Sequence, residues 1–417
     1  MKTKRIFSLF MSAAVLCSVL LSAASCGDVK INALDLTADV VSGSVSGKEP
    51  DEVFAQAELD FSLSLFKATA GGEENMLISP VSVLLALSIA ANGAGGETRE
   101  EMERVLGLPI EELNEYLYTY VSTLPAEENI TLKTANSLWF REGNITVNKP
   151  FLQAAKDYYG ASVYSAPFDN TTVKDINAWV KQKTDGLIDK ALDKIDAQTV
   201  MYVINTVLFD ARWANVYEKN DVKNGKFTTL GGEEKTVKFM SAHESNCFYK
   251  DDAAGFIKYY SGGEYAFVGV LPDSGDVYGY IDGLTAEKFA DYFVFAEGDN
   301  SRYAEVYLPK FEYEYNVKLN SVLSALGMPS AFGTGADFSG IGETGTGILY
   351  IDEVLHKTFI CVDELGTKAG AATSIGGGCG AMPPSEEIHF DRPFVYFIVD
   401  TETGLPVFMG TVTEIGK

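Results

Sequence analysis

Histidine and cysteine are the side chains of this sequence with the widest chemical scope, and both are scarce. The histidines are His243, His356 and His389, and the cysteines are Cys17, Cys26, Cys247, Cys361 and Cys379. None stands in an HExxH pattern or in a closely spaced cysteine pair, so the sequence predicts no metal site and no cofactor. An odd and sparse set of cysteines also argues against a disulfide framework.

Cys379 is the residue whose surroundings raise the question of catalysis. His389 follows ten residues later and could supply the base for a cysteine nucleophile. However, Cys379 lies in a Gly-Gly-Gly-Cys-Gly run, which cannot hold a nucleophile in register with a base. We therefore predict that the protein is not an enzyme. Cys379 is interpreted as a small loop residue or as an exposed, redox-sensitive thiol.

Residues 363–393 contain the most unusual stretch of the chain. About twenty small residues lie between two strand-like regions, and a loop of that length in a compact domain is usually functional or disordered. Small uncharged residues alternate with a second set that includes one lysine: Thr367, Ala369, Ala371 and Thr373 against Lys368, Gly370, Ala372 and Ser374. Because strand side chains alternate between faces, the pattern predicts a segment that can become a strand, with the first set buried and the lysine in solvent.

The N-terminus has the features of an export signal. A positive start over residues 2–5 precedes an apolar run over residues 6–21, and small residues then lead to Cys26. The run is too short and wrongly flanked for a transmembrane helix, so residues 1–25 are interpreted as a signal peptide. The pattern resembles a bacterial lipoprotein signal, which implies a lipid on Cys26; the alternative is plain secretion. We expect an extracellular or cell-surface protein that reaches the membrane only through that lipid.

Charge excludes several classes of partner. The chain has 33 basic and 58 acidic residues, so its net charge is 33 − 58 = −25, and 46% of its residues are hydrophobic. Such a hydrophobic content is typical of a globular protein. Nucleic acid, heparin and acidic membranes bind basic surfaces, and the sequence contains no basic helix face. We therefore expect none of these partners.

The chain divides into a short leading region and one large domain. Residues 26–50 are rich in Ser, Gly, Val and Asp without a sustained period, and are interpreted as a tether or linker. Residues 51–417 contain no dividing linker, so we predict a single α+β domain, richer in helix at first and in strand later. The clearest elements are a buried helix that starts after Ser79, a buried strand over Met201–Trp213 and a helix over Asn316–Leu326.

Seven short motifs, in a fixed order, resemble those of the serpin family. They are NMLISPVS from Asn75, GAGGET from Gly93, INTVLF from Ile204 with Trp213 after it, LPKF from Leu308, ADFSG from Ala336, the pair His356-Lys357, and DRPF from Asp391. Between the last two, ELGTKAGAAT over Glu364–Thr373 resembles the hinge of a serpin reactive loop. The resemblance covers about residues 51–415.

The resemblance implies a fold and a mode of action. The expected fold is a single α+β domain with three β-sheets, about nine helices and an exposed reactive-centre loop over about residues 364–388. The expected function is inhibition of serine proteases by a suicide-substrate mechanism, in which the loop is cleaved, forms an acyl-enzyme, inserts into the main sheet and traps the protease. A monomer is expected. The alternative is a non-inhibitory serpin that acts as a binding or storage module or is only cleaved as a substrate.

The resemblance also assigns the hinge and the reactive-site bond. The hinge residues are Glu364, Gly366, Thr367, Ala369, Ala371, Ala372 and Thr373. The face to be buried on insertion carries no charge, which favours an inhibitory protein. The family's usual spacing gives Gly380–Ala381 as the reactive-site bond, with Cys379 and Met382 as alternatives.

The residues around that bond indicate the class of protease. All four candidates are small or uncharged, which favours elastase-like or subtilisin-like enzymes with shallow specificity pockets. No Arg or Lys lies over residues 369–391, which argues against trypsin-like targets.

Two further clusters carry over by position. The shutter, a hydrogen-bonded cluster that controls strand separation, is assigned to Ser79, Ser82, Asn205 and His356. The breach, at the top of the main sheet, is assigned to Trp213 and to a salt bridge between Lys310 and Glu364. A partly buried pair of this kind is expected to orient the hinge more than it stabilises it.

Overall fold

The helices lie mostly in the first half of the chain. The computed structural model describes residues 30–127, 129–297, 302–345, 347–368 and 386–416, without the side chains of residues 294–297. Within these ranges the α-helices are α1 (Glu52–Thr69), α2 (Pro80–Ala91), α3 (Gly96–Leu106), α4 (Ile110–Thr123), α5 (Lys149–Tyr159), α6 (Asn170–Lys183), α7 (Val277–Asp282), α8 (Ala286–Glu297) and α9 (Asn320–Leu326).

Strands predominate later in the chain. The first eight are β1 (Leu34–Asp35), β2 (Met76–Ile78), β3 (Ala126–Glu127), β4 (Ile130–Arg141), β5 (Ile145–Val147), β6 (Ser162–Ala166), β7 (Met201–Arg212) and β8 (Val222–Thr228). The others are β9 (Glu234–Tyr249), β10 (Ala253–Tyr259), β11 (Tyr265–Pro272), β12 (Arg302–Pro309), β13 (Phe311–Lys318), β14 (Gly342–Thr344), β15 (Glu353–Val362), β16 (Gly366–Thr367), β17 (Glu387–His389), β18 (Phe394–Asp400) and β19 (Pro406–Val412).

An eight-stranded sheet, called the central sheet below, carries the hinge. Its order is β1-β6-β4-β7-β16-β15-β13, with β3 beside β4. Strand β7 pairs along its whole length with β4, and at its start it pairs in parallel with β15. The predicted buried strand over Met201–Trp213 is confirmed, because β7 spans Met201–Arg212 and all its residues except Asp210 and Arg212 are buried.

The other sheets complete the frame. A nine-stranded sheet has the order β17-β12-β9-β10-β11-β18-β19-β2 with β8 beside β9, and β5 pairs with β14 in a small third sheet. One face of the central sheet packs on the nine-stranded sheet through a buried aromatic cluster that includes Phe209, Phe267 and Tyr396. Within the described residues the fold is α+β, with nine α-helices and three sheets, so the predicted fold class is confirmed.

Helix α2 lies beneath the central sheet, and its sequence explains where it starts and why it is buried. Ser79 precedes it in an extended conformation and Pro80 occupies its first position, where a missing N–H costs nothing. Every residue of α2 is buried, as expected for a helix that is apolar on all sides. The predicted buried helix is confirmed.

The predicted helix over Asn316–Leu326 is only partly correct. Strand β13 continues to Lys318, and α9 begins at Asn320. Exposed and half-buried residues alternate along β13, because it lies at the edge of the central sheet with one face in solvent.

The N-terminal region differs from the predicted tether. The interpretation of residues 26–50 as a linker is not correct from Ile31 onward, because residues 31–417 form one compact unit. Strand β1 pairs antiparallel with β6, so it adds an edge strand to the central sheet. Asp175 of α6, itself buried, accepts hydrogen bonds from Asn32 Nδ2 at 3.1 Å and from the Ala33 backbone N–H at 2.9 Å.

Residues after β1 continue along the body of the domain. The Thr37 side chain is buried, and its hydroxyl donates to Asp35 Oδ1 at 2.6 Å. The Gly43 backbone N–H donates to Asp157 of α5 at 2.7 Å, and the Lys48 N–H donates to the Glu115 carbonyl of α4 at 3.1 Å. This segment is therefore part of the folded domain.

No helix in the described part of the chain is long and apolar enough to cross a membrane.

Candidate functional site

The hinge enters the central sheet as a short strand. Strands β15 and β16 form a hairpin whose turn is Glu364-Leu365, closed by a hydrogen bond from the Asp363 N–H to the Gly366 carbonyl at 3.0 Å. Asp363 Oδ1 also accepts from the Leu365 N–H at 2.8 Å, as aspartate commonly does in turns. Strand β16 lies between β15 and β7 and is antiparallel to both.

Gly366 is required where the hinge meets β7. A Cβ at this position would lie 2.1 Å from the Ala211 carbonyl oxygen, which is far inside van der Waals contact. Any other residue would therefore push β16 away from β7 and weaken its pairing at Arg212.

Thr367 and Lys368, at the end of the described part of the hinge, differ in burial. The Thr367 side chain is buried. The Lys368 side chain is half-buried, and its ammonium lies 3.7 Å from the carboxylate of Asp210. Burial raises the pKa of Asp210, although the nearby Lys368 opposes that rise. The hinge residues Ala369, Ala371, Ala372 and Thr373 lie outside the described residues, as do Cys26 and all four candidate reactive-site residues.

Below the hinge, the central sheet has a seam between β7 and β15. The two strands pair directly, in parallel, from Tyr202↔Glu353 to Thr206↔Lys357. Above this stretch β16 stands between them. A strand that continued β16 downward would have to open the seam.

The predicted shutter residues come together beneath this seam. His356 and Asn205 are register partners across it, and His356 Nδ1 lies 2.8 Å from Asn205 Oδ1. Asn205 Nδ2 donates to the hydroxyl and the carbonyl oxygen of Ser82, at 2.6 and 2.9 Å. The Ser79 backbone N–H donates to His356 Nε2 at 3.0 Å, while the buried Ser79 hydroxyl has no hydrogen-bond partner among the described residues. The cluster thus joins α2 to both strands of the seam.

These contacts assign the tautomer of His356. Nε2 accepts from a backbone N–H, so the ring proton is on Nδ1, which donates to Asn205 Oδ1. The ring is fully buried, and burial lowers its pKa to about 3. The neutral form is therefore the one that stabilises the folded protein.

The burial of His356 predicts acid-sensitive stability. Above the ordinary pKa of 6.5 the ring is neutral in both states. As the pH falls below that value the unfolded chain binds a proton and the folded one does not, so stability falls by about 1.4 kcal/mol per pH unit until the folded ring titrates near pH 3. Urea unfolding should show the wild type gaining about 2 kcal/mol relative to His356→Gln between about pH 5 and pH 6.5.

The comparison with His356→Gln is needed because Glu58 of α1 changes the stability with pH in the opposite direction. Burial raises its pKa to about 8, so the folded protein keeps a proton that the unfolded chain releases, and stability falls as the pH rises from 4.5 to 8. His243→Gln, at an exposed histidine outside the shutter, is the matched control for the substitution. If the free energy of unfolding changed with pH in the same way in wild type and His356→Gln, the assignment of His356 as a buried neutral ring would be wrong.

The predicted breach residues also come together, at the upper end of the central sheet. Lys310 Nζ donates to the carboxylate of Glu364. Burial alone would raise the pKa of Glu364, but the hydrogen bond and charge of Lys310 hold it below its usual value. Trp213 Nε1 donates to the Asp363 carbonyl at 2.9 Å, and the Trp213 N–H donates to the Leu365 carbonyl at the same distance. Both contacts fix the turn that leads into the hinge.

Sequence reasoning missed several residues of these clusters. In the shutter, Asn136 of β4 accepts from Asn205 Nδ2 at 2.6 Å. The strand-like run around it also contains Lys133 and Ser137, so one more polar residue gave no signal. In the breach, the Tyr217 N–H donates to the Glu364 carbonyl at 2.9 Å. Lys258 is buried, pairs with Glu244 and lies 4.4 Å from the centre of the Tyr217 ring. No local pattern marked these last residues.

On the far side of the loop the chain returns to the nine-stranded sheet. Strand β17 pairs in parallel with β12, from Glu305↔Glu387 to Tyr307↔His389. Ile388 and Phe390 are buried and anchor this end. The two ends of the loop are therefore held by different sheets.

Comparison with known proteins agrees with this geometry. A family model described as "Serpin (serine protease inhibitor)" matches residues 56–415. An uncharacterized serpin-like protein of Thermococcus kodakarensis is 31% identical over 360 residues, which cover 84% of this chain and 83% of that protein. Alpha-1-antichymotrypsin of Homo sapiens is 29% identical over 388 residues, which cover 88% of this chain and 89% of that protein.

Solved structures extend the comparison to conformation. The structure of a thermophilic serpin, tengpin, in the native state has a TM-score of 0.88 and 47% identity, covering 92% of this chain and 100% of that chain. The latent state of tengpin has a TM-score of 0.78 and 44% identity, covering 89% of this chain and 100% of that chain. The described fold is therefore more similar to the native form of tengpin than to the latent one.

Proposed function

Since this chain belongs to the serpin family of serine protease inhibitors, we propose that it traps elastase-like or subtilisin-like proteases as a suicide substrate. The proposed reactive-site bond is Gly380–Ala381, with Cys379 and Met382 as alternative positions. Small and uncharged residues suit the shallow specificity pockets of these proteases. The absence of Arg and Lys over residues 369–391 argues against trypsin-like targets.

The first step of the proposed mechanism is acyl transfer. The serine Oγ of the protease forms an ester with the carbonyl carbon of the residue before the cleaved bond, and the C–N bond breaks. The serine proton passes through the protease histidine to the leaving amine, which becomes a new N-terminus. Water can then hydrolyse the ester and free the protease. Inhibition therefore requires that the loop insert before hydrolysis.

The observation that carries the proposal is the position of β16. Gly366 and Thr367 already occupy a strand position between β7 and β15, antiparallel to both. Since Thr367 pairs with Ala211, ten further residues in the same register would bring residue 377 opposite Met201 (367 + 10 and 211 − 10). At about 3.3 Å per residue, that strand would extend about 33 Å down the sheet.

The same observation supports a favourable drive for insertion. Each backbone hydrogen bond formed in a sheet contributes about 1 kcal/mol net, and an inserted strand would form them on both sides. The residues that would face the core along this path, from Thr367 to Thr373 at every second position, are Thr and Ala. Such side chains bury without an unpaired charge.

We further propose that the protein is exported, with residues 1–25 as the signal peptide and a lipid on Cys26. The charged start, the apolar run and the small residues before Cys26 support this proposal. Metabolic labelling with a fatty acid should mark the wild type and not Cys26→Ala. Labelling of neither would leave plain secretion as the better explanation, and labelling of both would show that the lipid is on another residue.

The proposed function can be tested with residues 27–417 and a panel of proteases. The protein is incubated separately with pancreatic elastase, subtilisin and trypsin, and each mixture is analysed on a denaturing gel and by intact mass. A band at the summed mass with elastase or subtilisin is the expected result, and the N-terminus of the released peptide identifies the cleaved bond.

Clean cleavage without such a band would contradict the inhibitory function. It would favour the non-inhibitory alternative, in which the loop is only a substrate. Thermal unfolding of the cleaved protein separates the two further, because insertion adds a strand and should raise the Tm sharply.

A further inference from the structure

Tyr260 lies just after β10, and its side chain contacts the hinge inside the central sheet. Its hydroxyl lies 2.6 Å from Thr367 Oγ1, and both side chains are buried. We infer that Tyr260 is a positioning residue that holds the hinge in the central sheet and thereby favours loop insertion over hydrolysis of the acyl-enzyme. This inference rests on the proposed function. It adds a residue that influences whether the cleaved loop inserts or the acyl-enzyme is hydrolysed.

The ring of Tyr260 is held rigidly from two sides. It stacks on the Trp213 indole with centroids 4.5 Å apart and planes 12° apart, and it meets Phe209 edge to face at 5.0 Å. The Tyr260 backbone N–H donates to the Tyr265 carbonyl at 2.9 Å. These contacts come from Phe209 of β7, from Trp213 directly after β7 and from Tyr265 of β11, so the ring is held by residues outside β16.

The hinge side of the contact is equally defined. Strand β16 brings Thr367 opposite Ala211 on one side and Val362 on the other, with its side chain toward the nine-stranded sheet. The next residue, Lys368, has a φ of 51°, so the chain leaves strand geometry directly after Thr367. Thr367 is therefore the last residue of β16, and its hydroxyl contacts Tyr260 beside the nine-stranded sheet.

This arrangement affects the competition between loop insertion and hydrolysis of the acyl-enzyme. Forming the first pairs of a new strand is costly, because several residues must be ordered for few hydrogen bonds. A hinge already docked by Tyr260 presents those first pairs before the protease arrives. When the loop is cut, insertion can proceed from Thr367 without that first step. Loss of the hydroxyl should let the hinge leave the sheet and delay insertion.

Hydrogen exchange measures the docking without any protease. The Lys368 N–H donates to the Cys361 carbonyl, and the Trp213 N–H donates to the Leu365 carbonyl, so both report on the hinge. Since a buried hydrogen bond contributes about 1 kcal/mol, Tyr260→Phe should raise exchange at these amides about five-fold. Thr367→Val should do the same, and the double variant should add little.

The matched control is Tyr280→Phe, which removes a buried hydroxyl paired with Tyr292 between α7 and α8, away from the hinge. It should leave exchange at the hinge amides unchanged. Equal exchange in wild type and Tyr260→Phe would overturn the inference, whatever the protease assay shows.

The second readout is the partition between covalent complex and cleaved protein with elastase or subtilisin. Tyr260→Phe and Thr367→Val should both raise the number of molecules cleaved per protease trapped, by about five-fold for one lost hydrogen bond. Tyr280→Phe should keep the wild-type ratio. Faster exchange with an unchanged partition would overturn the positioning role. Faster exchange in a protein whose wild type traps no protease would support the docking contact and contradict the proposed function instead.

Discussion

Thr367→Arg is expected to turn the protein from an inhibitor into a substrate. Thr367 is buried between β7 and β15, and an inserted loop must keep that position buried. An arginine there would bring a positive charge into the core, and burying a charge without a partner costs several kcal/mol. Insertion should then be slower than hydrolysis of the acyl-enzyme. The denaturing gel should show complete cleavage and at least a ten-fold loss of the covalent band.

Thr367→Val is the matched control for this prediction. It keeps the shape of the side chain and introduces no charge, so its loss of the covalent band should not exceed the about five-fold change expected from the missing hydrogen bond. Retention of the covalent band by Thr367→Arg would contradict the view that this position enters the sheet. Failure of the arginine variant to be cleaved at all would point instead to a misfolded loop, which circular dichroism of the uncut protein would reveal.

Removal of residues 27–50 is expected to destabilise the domain substantially. Asp175 would lose its two described donors, Asn32 Nδ2 and the Ala33 N–H, while its carboxylate stayed buried. Leaving a buried charged group with fewer partners costs about 3 kcal/mol or more. The loss of β1 would also expose β6 as a free edge. Differential scanning fluorimetry should show a Tm lower by about 5 °C for a chain that starts at Asp51.

A chain that starts at Lys30 provides the control, because it keeps every residue of the segment that the structure describes. Its Tm should equal that of the chain starting at residue 27. If the chain starting at Asp51 were equally stable, the contacts of β1 with β6 and α6 would contribute nothing measurable. The point variant Thr37→Ala, which removes one buried hydroxyl, should give a smaller loss in the same direction.

Much of the fold could be predicted because local patterns were strong. The β-branched apolar run that became β7 has no helical period, and the Ser79-Pro80 start of α2 combines an extended residue with a fixed φ. The hinge was predicted for a different reason. Small uncharged residues stand at every second position from Thr367 to Thr373, and a strand that enters the sheet needs such residues on its buried face.

The errors arose where distant contacts outweighed local composition. Residues 31–50 read as a linker because they lack a period, yet their order comes from partners such as Asp175, which lies 142 residues from Ala33. Along β13 the alternation of Tyr and Glu was a period-two signal that the predicted helix over Asn316–Leu326 overlooked. Tyr260 is separated from Thr367 by 107 residues, and no sequence pattern connects a tyrosine to a hinge at that distance.

The direction of the strands at the seam has its own consequence. Strands β7 and β15 meet there in parallel, through slanted hydrogen bonds that stabilise less per residue than antiparallel ones. A strand continuing β16 would replace this one parallel ladder with two antiparallel ladders. The folded chain thus has a less stable parallel pairing at the centre of the central sheet. Insertion of the cleaved loop would replace that pairing with a more stable antiparallel one.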